Sequence, residues 1–439
     1  MTSTPPPGRH VVVGMTPEAS RTCAALQDLG LSVTHLGEPS ETELARAMAG
    51  GVSSLAVLLH NDTQALRYCL AAEHLRPGLP MVVAIFDKTA ATQLVRVVPN
   101  CRVTSPADLA TPSLVAACLP GDLAGLVREP SGWRAYPRAA AAPRPFALPP
   151  AMRFRAGLGK LLGQLRPHDS GSQILMTGLS GLLLLLLADT VAGVSLLHKP
   201  FVDAFHTAVQ IVATVGPASS TGTQPAYVLF AALAMLVTIG LTAMFTAGIV
   251  EHLLSGRLIG LWGRRVLPRR GHVVVVGMGQ VGLRLASELK ALGLGVVGIE
   301  RDRGAPNLMA ARASGIPVLI GDGSRRAVLS KARVDRAVAF CAVGSDELDN
   351  IAAAVTARAV APEIRVALRA GNHDAIAETR SLFHIGTVCD VTGLTAAYVV
   401  QCLVGRSPRT VVSDAGQLWV WDRLDGPIRM HSTSTECAH

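Results

Sequence analysis

Two long apolar runs constrain the fold of this chain more than any other feature. The first, 174–197, contains six consecutive leucines, and the second, 227–250, contains no charged residue. Each run is long enough to cross roughly 30 Å of hydrocarbon as a helix. Hydrophobic residues make up 49% of the 439 residues and charged residues only 16%, so a buried hairpin in a soluble protein is the weaker interpretation. We therefore predict two membrane-spanning helices in a multi-pass protein of the cell membrane.

The basic residues indicate how these helices cross the membrane. The net charge is +9, and the segment between the two runs carries only Lys199 and Asp203. The positive-inside rule then places both termini in the cytoplasm. Aromatic residues make up only 4% and do not alternate with basic ones, so we expect no nucleic-acid partner. The basic residues that flank the runs are Arg153, Arg155, Lys160, Arg166, Arg257, Arg264, Arg265, Arg269 and Arg270.

The segments outside the apolar runs resemble each other. HVVVGMTPEASRTCAALQDLGLSVTHLGE begins at His10, and HVVVVGMGQVGLRLASELKALGLGVVGIER begins at His272. Each predicts a buried strand, a tight turn, an amphipathic helix and a second strand. Further similar segments follow at a larger offset, which corresponds to a deletion of about twenty residues in the first copy. The predicted fold class is α/β plus membrane α-helical, with two Rossmann-like doubly wound domains flanking a two-helix transmembrane unit.

The second copy carries a dinucleotide-binding fingerprint. Gly277, Gly279 and Gly282 form G-x-G-x-x-G between a strand and a helix. The first glycine permits the tight turn, the second lets the backbone approach a pyrophosphate, and the third lets helix and strand pack closely. Glu300, at the end of the next strand, can accept hydrogen bonds from ribose and repel a 2′-phosphate, a preference that neighbouring Arg301 weakens. These residues predict NAD(H) or an adenine nucleotide (ATP, ADP or AMP) as ligand.

The remaining residues of the predicted site lie in the same loop and at two other strand ends. Met278, Gln280 and Val281 belong to the loop and the first turn of the helix, whose free amides and positive dipole end face the phosphates. Asp322 and Asp346 follow strands, and a parallel sheet binds ligands at the carboxyl ends of its strands. Capping of the next helix is the alternative for both aspartates, and for Asp346 the sequence supports the two roles equally.

The first copy lacks this site. Thr16 and Ala19 occupy the positions of the second and third glycines, and Gly37 occupies the position of the acidic residue. A side chain at Thr16 would keep the backbone away from a phosphate. We therefore expect the first copy to be structural.

Two membrane helices, a pore-loop-like segment and a G-x-G-x-x-G domain together resemble the two-helix potassium channels with regulator-of-K⁺-conductance (RCK) domains. The resemblance covers about 170 to 400 and implies a homotetramer with a cytoplasmic ring of domains, in which ligand binding pulls on the inner helices and K⁺ permeates. This chain departs from the family in its short end after residue 405 and in the copy before the membrane. Four subunits with two copies each would supply the eight domains of a full ring. The residues that carry the resemblance in the nucleotide domain are Gly277, Gly279, Gly282, Glu300, Gly321, Asp322 and Asp346.

The pore-loop-like segment is FHTAVQIVATVGPASSTG, at 205–222. Pro200 and Asp203 favour the start of a short pore helix at 201–212. By resemblance, the residues that follow present oxygen atoms that replace the hydration shell of the ion. Asp189, within the first membrane helix, should face protein or water rather than lipid. The predicted filter residues are Thr214, Val215, Gly216, Pro217 and Ala218.

The second half of this filter differs from the family pattern. Pro217 stands where the family has tyrosine, and it has a fixed φ, no N–H and no phenol to brace the filter wall. Ala218 stands where the family has glycine, which adopts backbone angles closed to alanine. The inner ion sites could survive while the outer ones change, so the sequence leaves the ion selectivity open.

The predicted organisation follows from these features. A degenerate Rossmann/RCK-like domain is followed by a linker rich in Pro and Ala, a pore unit between basic segments, an RCK-type domain and a hairpin with a tail. The boundaries are 1–128, 129–170 (linker and basic segment), 171–252 (pore unit, with helices at 174–197 and 227–250 and a pore loop at 200–219), 253–270 (basic segment), 271–405 and 406–439.

The function predicted is that of a nucleotide-regulated cation channel subunit, with potassium as the expected ion. A non-conducting membrane nucleotide sensor is the first alternative, and a membrane-anchored NAD-dependent oxidoreductase is the second. For an enzyme, His373 and His384 are available as acid or base, but nothing places them beside a nicotinamide. The eight cysteines are scattered without a CxxC pair. We therefore expect no catalytic residue and no metal site.

Overall fold

The computed structural model describes residues 8–138, 141–165, 170–213, 225–254, 267–370, 386–414, 417–422 and 427–430. The chain divides into two compact units. One unit combines Met1–Lys160 with Pro268–His439, and the other is Leu161–Leu267. The two duplicated segments therefore belong to one unit, and the apolar runs belong to the other.

The first copy is a five-stranded parallel sheet in the order β2-β1-β3-β4-β5, with a helix between successive strands. The three valines of β1 are fully buried, as expected for a parallel strand covered on both faces. Thr16, Asn61 and Asp87 each accept a backbone N–H and so begin a helix. The elements are β1 (Arg9–Val13), α1 (Pro17–Asp28), β2 (Val33–Leu36), α2 (Glu41–Met48), β3 (Val52–Val57), α3 (Asp62–Leu75), β4 (Met81–Ala84), α4 (Lys88–Val97), β5 (Cys101–Thr104) and α5 (Pro106–Ala117).

A small antiparallel sheet follows the first copy. It consists of β6 (Leu123–Glu129), β7 (Gly132–Pro137) and β8 (Arg144–Phe146). The sequence suggested a linker rich in proline and alanine in the first part of 129–170, but that part contains β7 and β8. Packing against β16 (Gln417–Asp422) stabilises these strands. Tyr136 of β7 is buried and packs edge-on against Trp421, with ring centroids 5.3 Å apart.

The second unit contains the two helices that are long and apolar enough to cross a membrane, over Ile174–Leu196 and Val228–Val250. After α6 (Pro150–Leu165) come α7 (Ser170–Leu196), α8 (Phe201–Val212) and α9 (Pro225–Leu254). Helix α7 packs against α9, and Gly178 and Gly248 permit close approach because a Cβ on either would lie within 2.8 Å of a backbone atom of the other helix.

The short helix predicted at 201–212 is confirmed as α8, which packs against α7 and α9. Asp189 is only 1% exposed, so it faces protein as expected. The predicted filter residues, 214–218, lie outside the described residues.

The second copy is a six-stranded parallel sheet in the order β11-β10-β9-β12-β13-β14, the order of a complete dinucleotide-binding fold. A three-stranded antiparallel sheet, β15-β16-β17, follows it. The elements are β9 (His272–Val276), α10 (Gln280–Ala291), β10 (Gly295–Glu300), α11 (Asn307–Ala313), β11 (Val318–Ile320), α12 (Arg326–Lys331), a 3₁₀ turn (Val334–Arg336), β12 (Ala339–Ala342), α13 (Glu347–Val360), β13 (Arg365–Ala370), β14 (Thr387–Asp390), α14 (Val391–Leu403), β15 (Pro408–Asp414), β16 (Gln417–Asp422) and β17 (Pro427–Met430).

The two copies differ by one edge strand. In the second copy β11 lies outside β10, whereas β2, the counterpart of β10, is itself the edge of the first sheet. The first copy lacks the counterparts of β11 and α12. Their absence accounts for the deletion of about twenty residues that was inferred from the change in offset. The three-stranded sheets β6-β7-β8 and β15-β16-β17 also correspond, because each follows the last helix of its copy. The duplication therefore includes these two sheets.

The two copies pack against each other through equivalent helices. Helix α5 of the first copy packs on α10 of the second, and α14 of the second packs on α1 of the first. The fifth residue of α1 and the fifth residue of α10 are both arginines, and each contacts the other copy. Arg21 Nη1 lies 2.8 Å from both carboxylate oxygens of Asp390, and Arg284 pairs with Asp108 and donates to the carbonyl of Phe86 at 3.0 Å. This reciprocal exchange has the character of a symmetric dimer interface within one chain.

The first turns of α6 and the residues before β9 are in close backbone contact. The amide of Arg269 donates to the carbonyl of Gly159 at 3.0 Å. A Cβ at Gly159 would lie 1.9 Å from the carbonyl oxygen of Arg270, so only glycine fits there. The segments that precede residue 161 and follow residue 267 therefore meet at one place on the unit that contains the two copies.

A buried histidine at the start of β9 makes the stability of this unit sensitive to pH. His272 is fully buried, its Nε2 lies 2.8 Å from the carbonyl oxygen of Ala332, and burial lowers its pKa to about 4. The unfolded chain binds a proton near pH 6.5, whereas the folded chain does not until about pH 4. The free energy of unfolding should therefore fall by roughly 3 kcal/mol as the pH drops through this window.

We expect thermal unfolding of the full chain in detergent to show this slope between pH 6.5 and 4, and His272→Gln to reduce it. His74→Gln, at an exposed position of α3, is the matched control and should leave the slope unchanged. An equal slope in the wild type and His272→Gln would contradict this assignment.

Candidate nucleotide-binding site

The loop between β9 and α10 contains three glycines, each with its own structural reason. Gly277 has φ +86°, and a Cβ there would lie 2.7 Å from the Cα of Gly344. A Cβ at Gly282 would lie 1.9 Å from the carbonyl oxygen of Gly277, so helix and strand could not pack as they do. At Gly279 no atom lies within 4 Å of an added Cβ. The backbone is therefore open to a ligand at Gly279 and closed by packing at the other two.

Helix α10 begins without a side-chain cap. Gly279 is its N-cap residue and has no side chain to accept the first amides. In the first copy the equivalent Thr16 accepts from the amide of Ala19 at 3.2 Å and donates to the carbonyl of Leu58 at 3.0 Å. The first copy thus satisfies its own helix terminus, whereas the second leaves amides and a positive dipole end for an anion.

Glu300 holds the loop as well as lining the site. Its carboxylate accepts hydrogen bonds from the amides of Met278 at 2.8 Å, Arg301 at 2.8 Å and Asp302 at 3.1 Å. A carboxylate has about four lone-pair positions, so one remains for a ribose hydroxyl. In the first copy Gly37 replaces it, and the Sδ atom of Met15 lies 2.4 Å from where a Cβ would be. The sequence did not predict the bonding of Glu300 to the loop.

The two aspartates at strand ends are engaged by their own loops. Asp322 accepts from the amide and hydroxyl of Ser324 at 2.8 and 2.7 Å, and these bonds hold its pKa below the usual value. Asp346 caps α13 by accepting from the amide of Asp349 at 2.9 Å, so the capping alternative describes its geometry. Both aspartates also line the cleft described next.

A cleft of about 420 Å³ lies above the carboxyl ends of the strands of the second copy. It brings together most of the residues predicted from the sequence, but Met278 and Gly282 do not line it. Met278 is fully buried because its side chain packs against Gly298, and it contributes only backbone. Arg301 lies at the mouth, where it forms an exposed ion pair with Asp349 at 2.9 Å. The predicted residues in the lining are Gly277, Gly279, Gln280, Val281, Glu300, Arg301, Asp322 and Asp346.

The cleft also contains residues that the sequence reasoning missed. Asn350 and Arg369 come from the second copy, and the position of Arg369 at the end of β13 follows the same strand-end rule that selected Asp322. The amide of Gly344 donates to Asn350 Oδ1 at 2.8 Å, which fixes the loop after β12. The first copy contributes Glu18, His60, Phe86 and Pro106. No motif signals these four, because they reach the cleft only through the pairing of the copies. In the described part of the chain, no cluster of His, Cys, Asp or Glu could hold a metal ion.

Comparison with known proteins identifies the domain that contains this site. Residues 273–386 match the TrkA-N domain family. The chain is 23% identical over 198 residues to potassium channel protein 1 of Methanocaldococcus jannaschii, covering 44% of this chain and 60% of the relative. It is 24% identical over 208 residues to an uncharacterized protein of Methanothermus fervidus, covering 45% of this chain and 32% of the relative. The chain thus contains a TrkA-N (RCK) domain and is homologous to a potassium channel protein, although each match spans less than two thirds of the relative.

Solved structures share the fold. The GsuK RCK domain superposes with TM-score 0.50 at 13% identity and covers 92% of this chain and 77% of its own. The GsuK channel bound to NAD superposes with TM-score 0.50 at 14% identity and covers 92% of this chain and 64% of its own. The relative of named function is a potassium channel protein, and the matched domain family is TrkA-N.

Proposed function

We propose that this chain is a subunit of a nucleotide-regulated cation channel of the potassium-channel type. The observation that carries the proposal is the uncapped N-terminus of α10 beside the open backbone of Gly279, in a chain with two helices able to cross a membrane. NAD(H) or an adenine nucleotide is the ligand, bound at Gly277, Gly279, Gln280, Val281, Glu300 and their neighbours. The GsuK channel bound to NAD, and the homology to a potassium channel protein, support this choice of ligand and ion.

Two helices cannot enclose a pore, so conduction requires several subunits, and by resemblance we propose a homotetramer. The pairing of the two copies within one compact unit supports a ring of eight domains from four chains. Thr214, Val215, Gly216, Pro217 and Ala218 are proposed as the filter, with both termini in the cytoplasm.

The contacts around the site suggest how a ligand could act on the pore. Strand β9 begins directly after the residues bonded to Gly159 and ends at the loop that would hold the phosphates. Helix α10 is attached to the first copy through Arg284. A nucleotide that displaces the loop and α10 would therefore act on β9 and on the backbone contact between Arg269 and Gly159.

The proposal is tested by ion flux through purified protein in liposomes. We expect K⁺ flux that changes at least about tenfold when NAD⁺ is added on the side of the unit that contains the two copies, since a coupling free energy of about 1.4 kcal/mol is typical of allosteric control. Flux that no nucleotide alters would contradict the regulation. Nucleotide binding without flux under NAD⁺, NADH, ATP, ADP or AMP would support the non-conducting sensor instead.

A further inference from the structure

One wall of the candidate site belongs to the first copy, which has no nucleotide fingerprint of its own. Glu18 is in the first turn of α1, His60 and Phe86 follow β3 and β4, and Pro106 begins α5. Glu18 is 8% exposed, which is uncommon for a glutamate that forms no ion pair within 4 Å in the described part of the chain. An inference about this wall rests on the proposed nucleotide site, because the wall and the site line the same cleft.

Arg369 of the second copy faces this wall. It is half-buried in the lining of the cleft, and none of its nitrogen atoms lies within 4 Å of a carboxylate among the described residues. Burial lowers the pKa of its guanidinium, and the nearby negative charges of Glu18 and Glu347 oppose that effect. Because the carboxylates of Glu18 and Asp346 line the same end of the cleft, the single guanidinium of Arg369 leaves that end with a net negative charge.

The order of the strands shows which part of a ligand would reach this end. Glu300 follows β10, the glycine loop follows β9, and Arg369 lies at the end of β13, two strands beyond β9 on the other side. Adjacent strands are about 4.8 Å apart, so β13 lies roughly 10 Å from β9. A nucleotide with its ribose at Glu300 and its pyrophosphate at Gly279 would need a second nucleoside to span that distance. A third phosphate would extend only part of the way.

Charge favours the same class of ligand. A third phosphate directed toward β13 would meet two carboxylates, those of Glu18 and Asp346, against the one guanidinium of Arg369. An oxidised nicotinamide ring carries a positive charge, which a carboxylate attracts and the aromatic face of Phe86 or His60 can stabilise. We infer that the first copy makes the site selective for a dinucleotide with a cationic distal base, NAD⁺, over ATP, and that Glu18 is the residue that determines this selectivity.

The test measures the ratio of the dissociation constants for ATP and NAD⁺ with the full chain in detergent. We expect Glu18→Gln to lower this ratio about tenfold, because ATP would bind more tightly and NAD⁺ more weakly. The charge of Glu18, at a partly desolvated position, repels the third phosphate of ATP and attracts the cationic ring of NAD⁺. Glu18→Ala should shift it in the same direction, so the result does not depend on one variant folding. Glu41→Gln, at an exposed position in the first turn of α2, should leave the ratio unchanged.

The outcomes separate this inference from the proposed function. An unchanged ratio in both Glu18 variants, with NAD⁺ binding that Gly279→Asp still abolishes, would overturn the role of the first copy and leave the proposed function intact. A wild-type chain that binds neither NAD⁺ nor ATP would overturn both. Equal tightening of NAD⁺ and ATP would show that Glu18 repels phosphate in general and would overturn the selectivity for a dinucleotide.

Discussion

Gly279→Asp is expected to abolish nucleotide binding while leaving the fold of the unit that contains the two copies intact. The fold should survive because Gly279 has φ −66°, which any residue adopts, and no atom lies within 4 Å of an added Cβ. An aspartate at this N-cap position can accept the free amides of α10, as Thr16 does for α1, and its charge would repel a pyrophosphate. In the variant the aspartate carboxylate would accept the hydrogen bonds of the free α10 amides, and no amide donor would remain there for the ligand.

The expected loss in affinity for NAD⁺ is at least about 100-fold, or roughly 2.7 kcal/mol. At a free NAD⁺ concentration of about 100 times Kd, the wild type should gain roughly 2.7 kcal/mol of unfolding free energy and the variant almost none. Thermal unfolding with and without NAD⁺ measures this difference, and liposome flux should lose its response to NAD⁺ in parallel. Without nucleotide the variant should unfold at the wild-type temperature or above it.

Thr16→Asp is the matched control, because Thr16 occupies the equivalent position of the first copy. Aspartate is also a good N-cap residue, so α1 should keep its first turn, although the hydrogen bond that Thr16 donates to the carbonyl of Leu58 is lost. We expect binding of NAD⁺ to remain within about twofold of the wild type, since that helix terminus is already satisfied in the native chain. Equal loss of binding in the two variants would place the ligand elsewhere, as would equal stabilisation of Gly279→Asp and the wild type by NAD⁺.

The double substitution Pro217→Tyr with Ala218→Gly is expected to raise the permeability of K⁺ relative to Na⁺ by at least about tenfold. Glycine restores a backbone position that can turn its carbonyl toward the ion path, and tyrosine restores an N–H and a phenol. Reversal potentials in unequal K⁺ and Na⁺ measure the ratio directly. The control is Pro217→Tyr with Ala218→Ser, which restores the ring but leaves a Cβ at position 218.

Two results would contradict this expectation. A wild-type chain that already excludes Na⁺ would show that T-V-G-P-A is a working potassium filter. An unchanged ratio in the double variant would show that residues other than Pro217 and Ala218 set the selectivity.

The parts of the structure that depend on local sequence could be predicted. Gly277, Gly279 and Gly282 were predictable because their spacing, between a strand and a helix, is a local sequence pattern. The short helix Phe201–Val212 was predictable for a similar reason, since proline and an acidic residue mark its start. A deletion of about twenty residues in the first copy was inferred from the change in spacing between the two copies, and the structure shows that an edge strand is what the first copy lacks.

The remaining features depend on contacts between residues distant in the sequence. The wall formed by Glu18 and Phe86 exists only because α5 packs on α10 and α14 on α1, and no periodicity reports such a pairing. Strands β7 and β8 were obscured by proline and alanine, and they are held by the contact of Tyr136 with Trp421. The capping role of Asp346 was left undecided, because the same residue type at the same strand end serves a ligand or a helix equally well.

The pairing of an intact copy with a degenerate one in a single chain determines a binding stoichiometry. Two identical chains that paired in this way would carry two equivalent sites and would separate on dilution. Here the partners are covalently joined, so their effective concentration is set by the chain and the pair persists at any protein concentration. Titration with NAD⁺ should therefore end at one molecule per chain, and a tetramer with eight domains would be saturated by four.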